Sequence, residues 1–316
     1  MIRSDWRRRQ RGVAIITAVL IVALGTMLAT SVFFRAYLDQ RRSATLFGID
    51  QAYEVALGAE AWAADFLRQD RQESDTDHFG EAWAKPLPPL PLDDGGTVEG
   101  RLEDEQGKFN LNNLKSSNGT TNDEAVKQLE RILAMLEIEP TWAAAIADWI
   151  DIDAEPGFPD GAEDSVYTSL TPPHRTANLT ITRVSELLVL NGFGPERYAK
   201  LAPHVTALPV GTKLNVCTAS GIVLDALSET EREFSLNPED TAKRRADTCY
   251  PTIEALHNKL GDEEYNKVKN SLTDSSKWFR ANVWVTIGTT QFTLYSLLLR
   301  ADQGPVRTIL RSFGSD

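Results

Sequence analysis

The chain has 316 residues and a mass of 35.0 kDa, which allows about two domains of ~100–200 residues each. Hydrophobic residues make up 42% and charged residues 25%, as in an ordinary globular protein, so disorder along most of the chain is excluded. The net charge of −12 disfavours broad binding to nucleic-acid phosphates, and 2 cysteines with 4 histidines leave little scope for a zinc site.

The N-terminus combines a basic leader with an uncharged apolar segment. Five arginines, opposed only by Asp5, precede Val13–Phe34, a segment without a charged residue. A helix of this length spans about 30 Å, the thickness of the hydrocarbon core of a bilayer. The positive-inside rule predicts that the arginines are cytoplasmic and that the chain after Arg35 lies across the membrane.

Three interpretations of this segment stay open on composition alone. It is a secretory signal cleaved near Ala29–Ser31, an uncleaved anchor, or a type III signal. The third interpretation rests on Gly12 directly before Val13, which resembles the junction at which prepilin peptidase cuts type IV pilins and pseudopilins before the new amine is methylated. The fifth residue of that mature chain would be Thr17, where most pilin-like proteins have glutamate; one pseudopilin subtype departs in this way.

After the apolar segment, the pattern predicts that the helix continues to about residue 70. Arg35–Asp70 has no proline and carries apolar residues at helical spacing. The proline-rich residues 86–91 predict an extended connector. Thr97–Glu103 and Lys108–Leu114 then read as two strands of a hairpin.

The middle of the chain has helical patterns, and its end has strand patterns. Asp123 is expected to cap a helix running to Glu137, and a helix over Trp142–Ile150 precedes a non-helical acidic loop, Asp151–Tyr167. Further short helices are predicted at Val184–Leu190, Pro195–Leu201, Ala219–Leu227 and Ile253–Leu260. Strands are predicted at Trp278–Ile287, Gln291–Arg300 and Val306–Phe313, with a turn at Gly288. This order predicts an α domain inserted into a small sheet.

The acidic loop has a composition suited to a hard cation. Residues 148–164 carry seven carboxylates and no basic residue. Oxygen ligands without histidine or cysteine favour Ca²⁺. The EF-hand register is excluded because Pro156 and Ala162 occupy the positions that require glycine and glutamate. The alternative is an acidic loop that is simply solvated and binds no ion. A carboxylate pair for glycoside hydrolysis is disfavoured, because the loop offers no aromatic-lined cleft for a sugar.

Several features together resemble the minor pseudopilin K family of the type II secretion system. They are the acidic series Ala147–Asp153 with Gly161–Asp164 and Tyr167, then Gly80–Ala84 before the prolines and Asp93–Gly96, Gly107–Asn112, and Leu214–Ser220. The resemblance covers roughly Gly12–Ser220, and the missing glutamate at Thr17 fits this subtype. Cys217 departs from the asparagine that is usual in the family.

The resemblance implies an α+β pseudopilin fold, in which a long N-terminal transmembrane helix packs on a small antiparallel sheet with a large inserted all-α domain. The expected divisions are a leader at 1–12, a transmembrane part at 13–34, the first part of the sheet domain at 71–118, the inserted domain at 119–275 and C-terminal strands at 276–316. Calcium binding is implied in the inserted domain. The best candidate ligands are Asp151, Asp153, Glu163 and Asp164, while the weaker ones are Asp160 and Asp148, the latter also able to hydrogen-bond at the helix end.

The same resemblance implies a non-enzymatic subunit at the tip of a periplasmic pseudopilus, which initiates assembly for protein export across the outer membrane. Its expected partners are minor pseudopilins I, J and H, prepilin peptidase and inner-membrane lipid, with no nucleic acid, and most of the chain would be periplasmic. The first alternative is a membrane-anchored periplasmic calcium-dependent binding or adhesion protein. A DNA-uptake pseudopilin is a third class, prompted by the helix-hairpin-helix-like Leu190–Arg197. No nucleophile elbow, Walker A or zinc-protease motif is present in the sequence.

The two cysteines, Cys217 and Cys249, both follow the membrane segment. The periplasm is oxidising, which favours a disulfide between them. Two buried free thiols are the alternative.

Overall fold

The computed structural model describes residues 5–93, 95–116, 118–157, 161–229 and 232–314, with side chains from Val13 onward. One continuous helix, α1, extends over Asp5–Glu73, which confirms the helix predicted to about residue 70. Within the described residues, one helix is long and apolar enough to cross a membrane, at Val13–Glu73. From Val13 to Leu46 its apolar side chains are exposed, apart from the half-buried Ala23, and Ala52 is the first that is fully buried.

A five-stranded antiparallel sheet receives the second half of α1. The strands in chain order are β1 Leu87–Leu92, β2 Gly96–Asp104, β3 Phe109–Asn110, β4 Val205–Thr206, β5 Leu214–Asn215, β6 Leu272–Thr273, β7 Trp278–Ile287, β8 Thr290–Leu299 and β9 Arg307–Phe313. The strand order in this sheet is β1-β2-β7-β8-β9. The three C-terminal strands are therefore confirmed. The proline-rich connector forms the edge strand β1, where proline is tolerated because one side of the strand has no ladder partner.

The predicted hairpin of Thr97–Glu103 with Lys108–Leu114 is wrong. Strand β2 pairs with β7 over its whole length, so its partner is about 180 residues away along the chain. The segment after the turn forms only β3, which pairs in parallel with β4. Phe109, Leu111 and Leu114 are buried in the core of the helical domain, because their apolar side chains find more cover there than on the sheet.

Small side chains let α1 lie close to the sheet. Ala52 and Ala56 pack on Val283 and Leu294, while Leu67 packs farther along on the strands with Trp83. Burying such apolar surface stabilises the contact by roughly 25 cal/mol per Å². The sheet therefore holds the second half of α1, from Ala52 onward. Residues 35–47 connect the apolar segment to the globular part and do not pack on the sheet.

The remaining helices form a domain between β2 and β7. They are α2 Asp123–Met135, α3 Trp142–Trp149, α4 Asp164–Tyr167, α5 Gly194–Leu201, α6 Gly221–Asp225, α7 Pro238–Arg244 and α8 Ile253–Val268. Three expectations need correction: Asn122, not Asp123, caps α2; Val184–Val189 is a 3₁₀ helix; and the acidic loop contains α4. Gly261 interrupts α8 with φ 73°, directly after the predicted end at Leu260.

The inserted domain is fastened to the sheet at Asp104, the last residue of β2. Its buried carboxylate accepts hydrogen bonds from Thr218 Oγ1 at 2.6 Å, Ser276 Oγ at 2.7 Å and Asn215 Nδ2 at 2.9 Å. Burial raises the pKa of Asp104 to about 6 despite these donors. Beside this junction, Cys217 and Cys249 form a disulfide with Cα atoms 4.6 Å apart. The domain boundaries expected from the sequence stay a prediction.

Candidate metal centre

Asp148, near the end of α3, holds the acidic loop from both sides. Its Oδ1 accepts a hydrogen bond from Gly157 N at 2.6 Å, and its Oδ2 accepts one from Ala162 N at 2.8 Å. The residue is 3% exposed. The carboxylate therefore brings the two limbs of the loop, before and after residues 158–160, to the same place.

Two glycines permit this closure. A Cβ at Gly157 would lie 2.8 Å from Asp148 Oδ1, and one at Gly161 would lie 2.8 Å from Asp148 Cγ. Gly161 N also donates to Gly157 O at 2.7 Å. A larger residue at either position would push the backbone away from the carboxylate, so the glycines shape the loop.

Asp148, Asp151 and Glu163 form one cluster, in which an oxygen of each lies within 4.8 Å of an oxygen of the others. Asp151 Oδ1 and Glu163 Oε1 are buried, and neither has a hydrogen-bond partner in the described part of the chain. Asn178 Oδ1 is also buried without a hydrogen-bond partner in the described part of the chain. Buried acceptors are normally satisfied, and one hard cation between the carboxylates would satisfy Asp151 Oδ1 and Glu163 Oε1. The donor set therefore fits Ca²⁺.

The charges in the cluster are only partly balanced. Lys115 Nζ lies 3.0 Å from Asp151 Oδ2. Burial raises the pKa of Asp151, and repulsion from Asp153 and Asp148 adds to it against the opposing effect of Lys115. Burial also raises the pKa of Glu163, again with repulsion from Asp148 and Asp151. A divalent cation would relieve this repulsion.

The other predicted ligands lie outside the cluster of Asp148, Asp151 and Glu163 or outside the described residues. Asp164 Oδ1 accepts hydrogen bonds from Thr176 N at 3.0 Å and Thr176 Oγ1 at 3.1 Å, so it holds the chain that follows α4. Asp153 is exposed, and its Oδ1 accepts from Glu155 N. The structure thus brings together Asp148, Asp151 and Glu163 but does not bring Asp153 and Asp164 into that cluster. Asp160 lies outside the described residues.

Sequence reasoning missed the neutral and basic members of the site. Lys115 is 36 residues from Asp151, and no local spacing connects them. Asn178 donates from Nδ2 to Asp153 O at 2.5 Å and adopts a positive φ of 45°. An isolated asparagine in a turn gives no signal in the sequence, so only the fold shows that Asn178 lies beside Asp153 and Glu163.

Three aromatic rings pack on one another next to the acidic loop. The ring centroids of Trp149 and Tyr167 are 5.0 Å apart, and His174 lies 5.2 Å from Tyr167. Both Trp149 and Tyr167 are buried.

The candidate processing site lies on α1. Gly12 and Val13 are both within the helix, although nothing is described of residue 12 beyond its backbone. Thr17 Oγ1 donates to Val13 O at 3.1 Å and Ala14 O at 3.0 Å. The hydroxyl is therefore satisfied within its own helix and supplies no negative charge.

The chain is similar to known proteins over nearly its whole length. The family model described as "Type II secretion system (T2SS), protein K" matches residues 107–210, a stretch that contains the acidic loop. The type II secretion system protein K of Pseudomonas aeruginosa is 36% identical over 98% of this chain and 94% of its own length. The protein K of Aeromonas hydrophila is 30% identical over 97% of this chain and 98% of its own length.

A solved structure has the same fold. It comes from the crystal structure of the GspK-GspI-GspJ complex of the type 2 secretion system of enterotoxigenic Escherichia coli. The TM-score is 0.75 at 24% identity, covering 87% of this chain and 100% of that chain. The expected fold class, a long N-terminal helix on an antiparallel sheet with many further helices, is confirmed.

Proposed function

The chain belongs to the type II secretion system protein K family, the minor pseudopilin K, and from that premise we propose that it caps a periplasmic pseudopilus. It initiates assembly of this filament, which serves protein export across the outer membrane. Its role is structural and involves no turnover of a substrate.

The observation that carries the proposal is the position of the inserted domain. Residues 105–277 lie between β2 and β7, which are neighbours in the middle of the sheet. A filament subunit packs its helix beside identical helices at a short axial rise. A domain of this size on the sheet would collide with the next copy above it, whereas the end of a filament has room for it.

The N-terminal helix supports the same position. In most pilin-like proteins the fifth mature residue is glutamate, which balances the N-terminal amine of a neighbour. Thr17 satisfies its hydroxyl in its own helix and cannot balance that charge. A subunit at the end of the filament has no neighbour above it and does not need this charge.

The proposed location and partners follow from α1. Val13–Phe34 crosses the bacterial inner membrane among its lipids, and the folded part is periplasmic. Prepilin peptidase cuts between Gly12 and Val13, and the new amine is methylated. Beyond the membrane, Leu46 is 63% exposed and Phe47 is 74% exposed, although both belong to a long regular helix. We propose that the helices of minor pseudopilins I, J and H cover this region, since the solved relative is a complex with I and J.

Calcium is part of the proposal. Asp148, Asp151 and Glu163 hold Ca²⁺ in the acidic loop. The ion stabilises a loop that otherwise concentrates negative charge. Its contribution is structural, because it fixes the surface of the inserted domain.

The test is deletion of the gene in its own host with complementation by a tagged full-length chain. The proposal predicts loss of type II secretion in the deletion strain. It also predicts that the tagged chain, cross-linked in membranes, brings down minor pseudopilins I and J. Intact secretion together with recovery of the chain without any pilin-like protein would contradict the proposal and favour an anchored calcium-dependent adhesion protein.

A further inference from the structure

A second carboxylate cluster lies where α1 ends. Asp70 is in the last turn of α1, and Asp77 and Glu81 follow in the connector to β1. An oxygen of each lies within 4.8 Å of an oxygen of the others. Their side chains are only 9%, 1% and 9% exposed. Three carboxylates at such burial repel one another strongly unless cations balance them.

Arg300, at the end of β8, balances part of this charge. Its Nη2 donates to both oxygens of Asp77 at 2.5 Å, and its Nη1 donates to Asp70 Oδ2 at 2.8 Å. Its own side chain is 4% exposed. One guanidinium against three carboxylates leaves an excess of two negative charges.

His78 does not remove that excess. Its Nδ1 accepts a hydrogen bond from Gly80 N at 3.1 Å, so this nitrogen donates nothing to the carboxylates. The ring proton is then on Nε2, which lies 3.9 Å from Glu81 Oε1. A protonated Nε2 cannot coordinate a metal, which directs the site toward ions that prefer oxygen.

Glu81 supplies the observation that points to a ligand. Its Oε2 accepts hydrogen bonds from Trp83 Nε1 at 2.7 Å and His78 N at 3.0 Å, which fix the carboxylate. Its Oε1 is buried and has no hydrogen-bond partner among the residues that the structure describes. A fixed, charged, buried oxygen without a donor is costly unless an ion occupies the adjacent space.

We propose that Asp70, Asp77 and Glu81 bind a divalent cation that prefers oxygen ligands, at a site separate from the acidic loop, with Ca²⁺ as the test ion. Two oxygens that each lie about 2.4 Å from one Ca²⁺ are at most about 4.8 Å apart, so the cluster can converge on one ion. A charge of +2 matches the excess. Burial also raises the pKa of Asp70 to about 6, with repulsion from Glu81 and Asp77, as expected for a crowded anionic site.

The ion would stiffen the junction between the long helix and the globular part. Asp77 O accepts a hydrogen bond from Asn215 Nδ2 of the inserted domain at 2.9 Å. Ser276, just before β7, donates its N–H to Asp77 Oδ2 at 2.6 Å. The site therefore connects α1, the sheet and the inserted domain at one point.

The test uses the full chain purified in detergent and counts bound Ca²⁺ per chain by elemental analysis after equilibration with Ca²⁺. Glu81→Gln should bind one ion fewer than the wild type, whereas Glu73→Gln, the same change at an exposed position of α1, should bind the wild-type number. In a chain that also carries Asp151→Asn and Glu163→Gln, the loss should add to the loss from the acidic loop. Equal ion counts for Glu81→Gln and Glu73→Gln would overturn the proposal.

Circular dichroism and thermal unfolding in EGTA check that each variant is folded. Glu81→Gln keeps an oxygen for Trp83 and His78 and removes a repulsive charge, so its unfolding midpoint in EGTA should equal or exceed that of the wild type. Added Ca²⁺ should raise the midpoint of the wild type more than that of the variant. If Glu81→Gln does not fold, the same ion count is made on Asp70→Asn, whose side-chain oxygen can still accept a hydrogen bond from Arg300. Loss of one ion in Asp70→Asn supports the proposal, and retention of the ion overturns it.

Discussion

The Glu60 carboxylate accepts two hydrogen bonds from the Arg311 guanidinium, at 2.8 Å from Nε and 2.7 Å from Nη2. Glu60 lies on the inner face of α1 and is 5% exposed, while Arg311 lies on the edge strand β9. Ser296 and Thr308 donate to the same carboxylate. This buried charge therefore fixes the rotation of the long helix against two strands of the sheet.

Replacing Glu60 by glutamine should destabilise the chain by about 2 kcal/mol, because charged hydrogen bonds are lost and Arg311 is left without its partner. Chemical denaturation of the full chain in detergent measures this. Glu54→Gln, an equivalent change on the exposed face of the same helix, should alter stability by less than about 0.5 kcal/mol. Equal effects of the two substitutions would show that the carboxylate does not hold the helix.

The same residue predicts a pH dependence. Burial raises the pKa of Glu60, but hydrogen bonds from Arg311, Ser296 and Thr308 outweigh it, so the pKa is lowered from its ordinary value of 4.5. A carboxyl with a lowered folded-state pKa gives its full stabilisation above the unfolded-state value and loses it as pH falls through the folded-state value. The stability difference between the wild type and Glu60→Gln should thus be constant near pH 7 and shrink below about pH 4. A difference that grows on acidification would be incompatible with this carboxylate being ionised in the fold.

Calcium removal tests the acidic loop. EGTA should lower the unfolding temperature of the wild type, since an ion present at 100 times its Kd stabilises the fold by about 2.7 kcal/mol. The double variant Asp151→Asn, Glu163→Gln should lose that part of the calcium response. Glu155→Gln changes an exposed carboxylate of the same loop that lies outside the cluster, so it should respond as the wild type does. An unaltered calcium response in the double variant would count against this ligand set.

The disulfide should contribute to stability in the inserted domain. Cys217 and Cys249 are separated by 32 residues, and closing a loop of this size stabilises by about 3 kcal/mol in the chain-entropy model. The double variant Cys217→Ala, Cys249→Ala should unfold at correspondingly lower denaturant and become insensitive to reductant. A wild-type chain from its own host that reacts fully with a thiol reagent under denaturing, non-reducing conditions would rule out the bond.

Processing at the N-terminus is tested by the intact mass of the chain purified from membranes of its own host. The mature protein should begin at Val13 and carry a methyl group. A start near residue 30 would indicate a conventional signal peptide. An intact Met1 would indicate an unprocessed anchor, and either result would remove the pseudopilin interpretation of the leader.

Local sequence patterns correctly predict the elements whose contacts lie close together along the chain. The helix to Glu73 and the strands of the C-terminal sheet follow from uninterrupted periodicity and from a turn glycine, Gly288. The hairpin after β2 failed because the true partner of β2 is β7, far along the chain. Phe109 alternates with polar residues as a strand residue would, but its side chain is buried among helices.

The candidate site shows the same division. The high density of carboxylates in the sequence identifies the acidic loop as a candidate cation site. The ligands predicted from it include Asp151 and Glu163, which the fold brings together. This density could not rank Asp148 above Asp164, since both are aspartates and only the backbone path determines which one faces the cluster. Glu60, Glu81 and Arg300 lie in segments of ordinary composition, so their burial could not be read from the sequence.

The most direct test of the proposed tip role is the position of this chain on a pseudopilus. Immunogold labelling of sheared pseudopili, with the label on an exposed loop of the inserted domain, locates it by electron microscopy. A tip subunit should give label at one end of each filament and none along the shaft. Label distributed along the shaft would contradict a tip subunit, because it would show that the inserted domain fits between stacked copies.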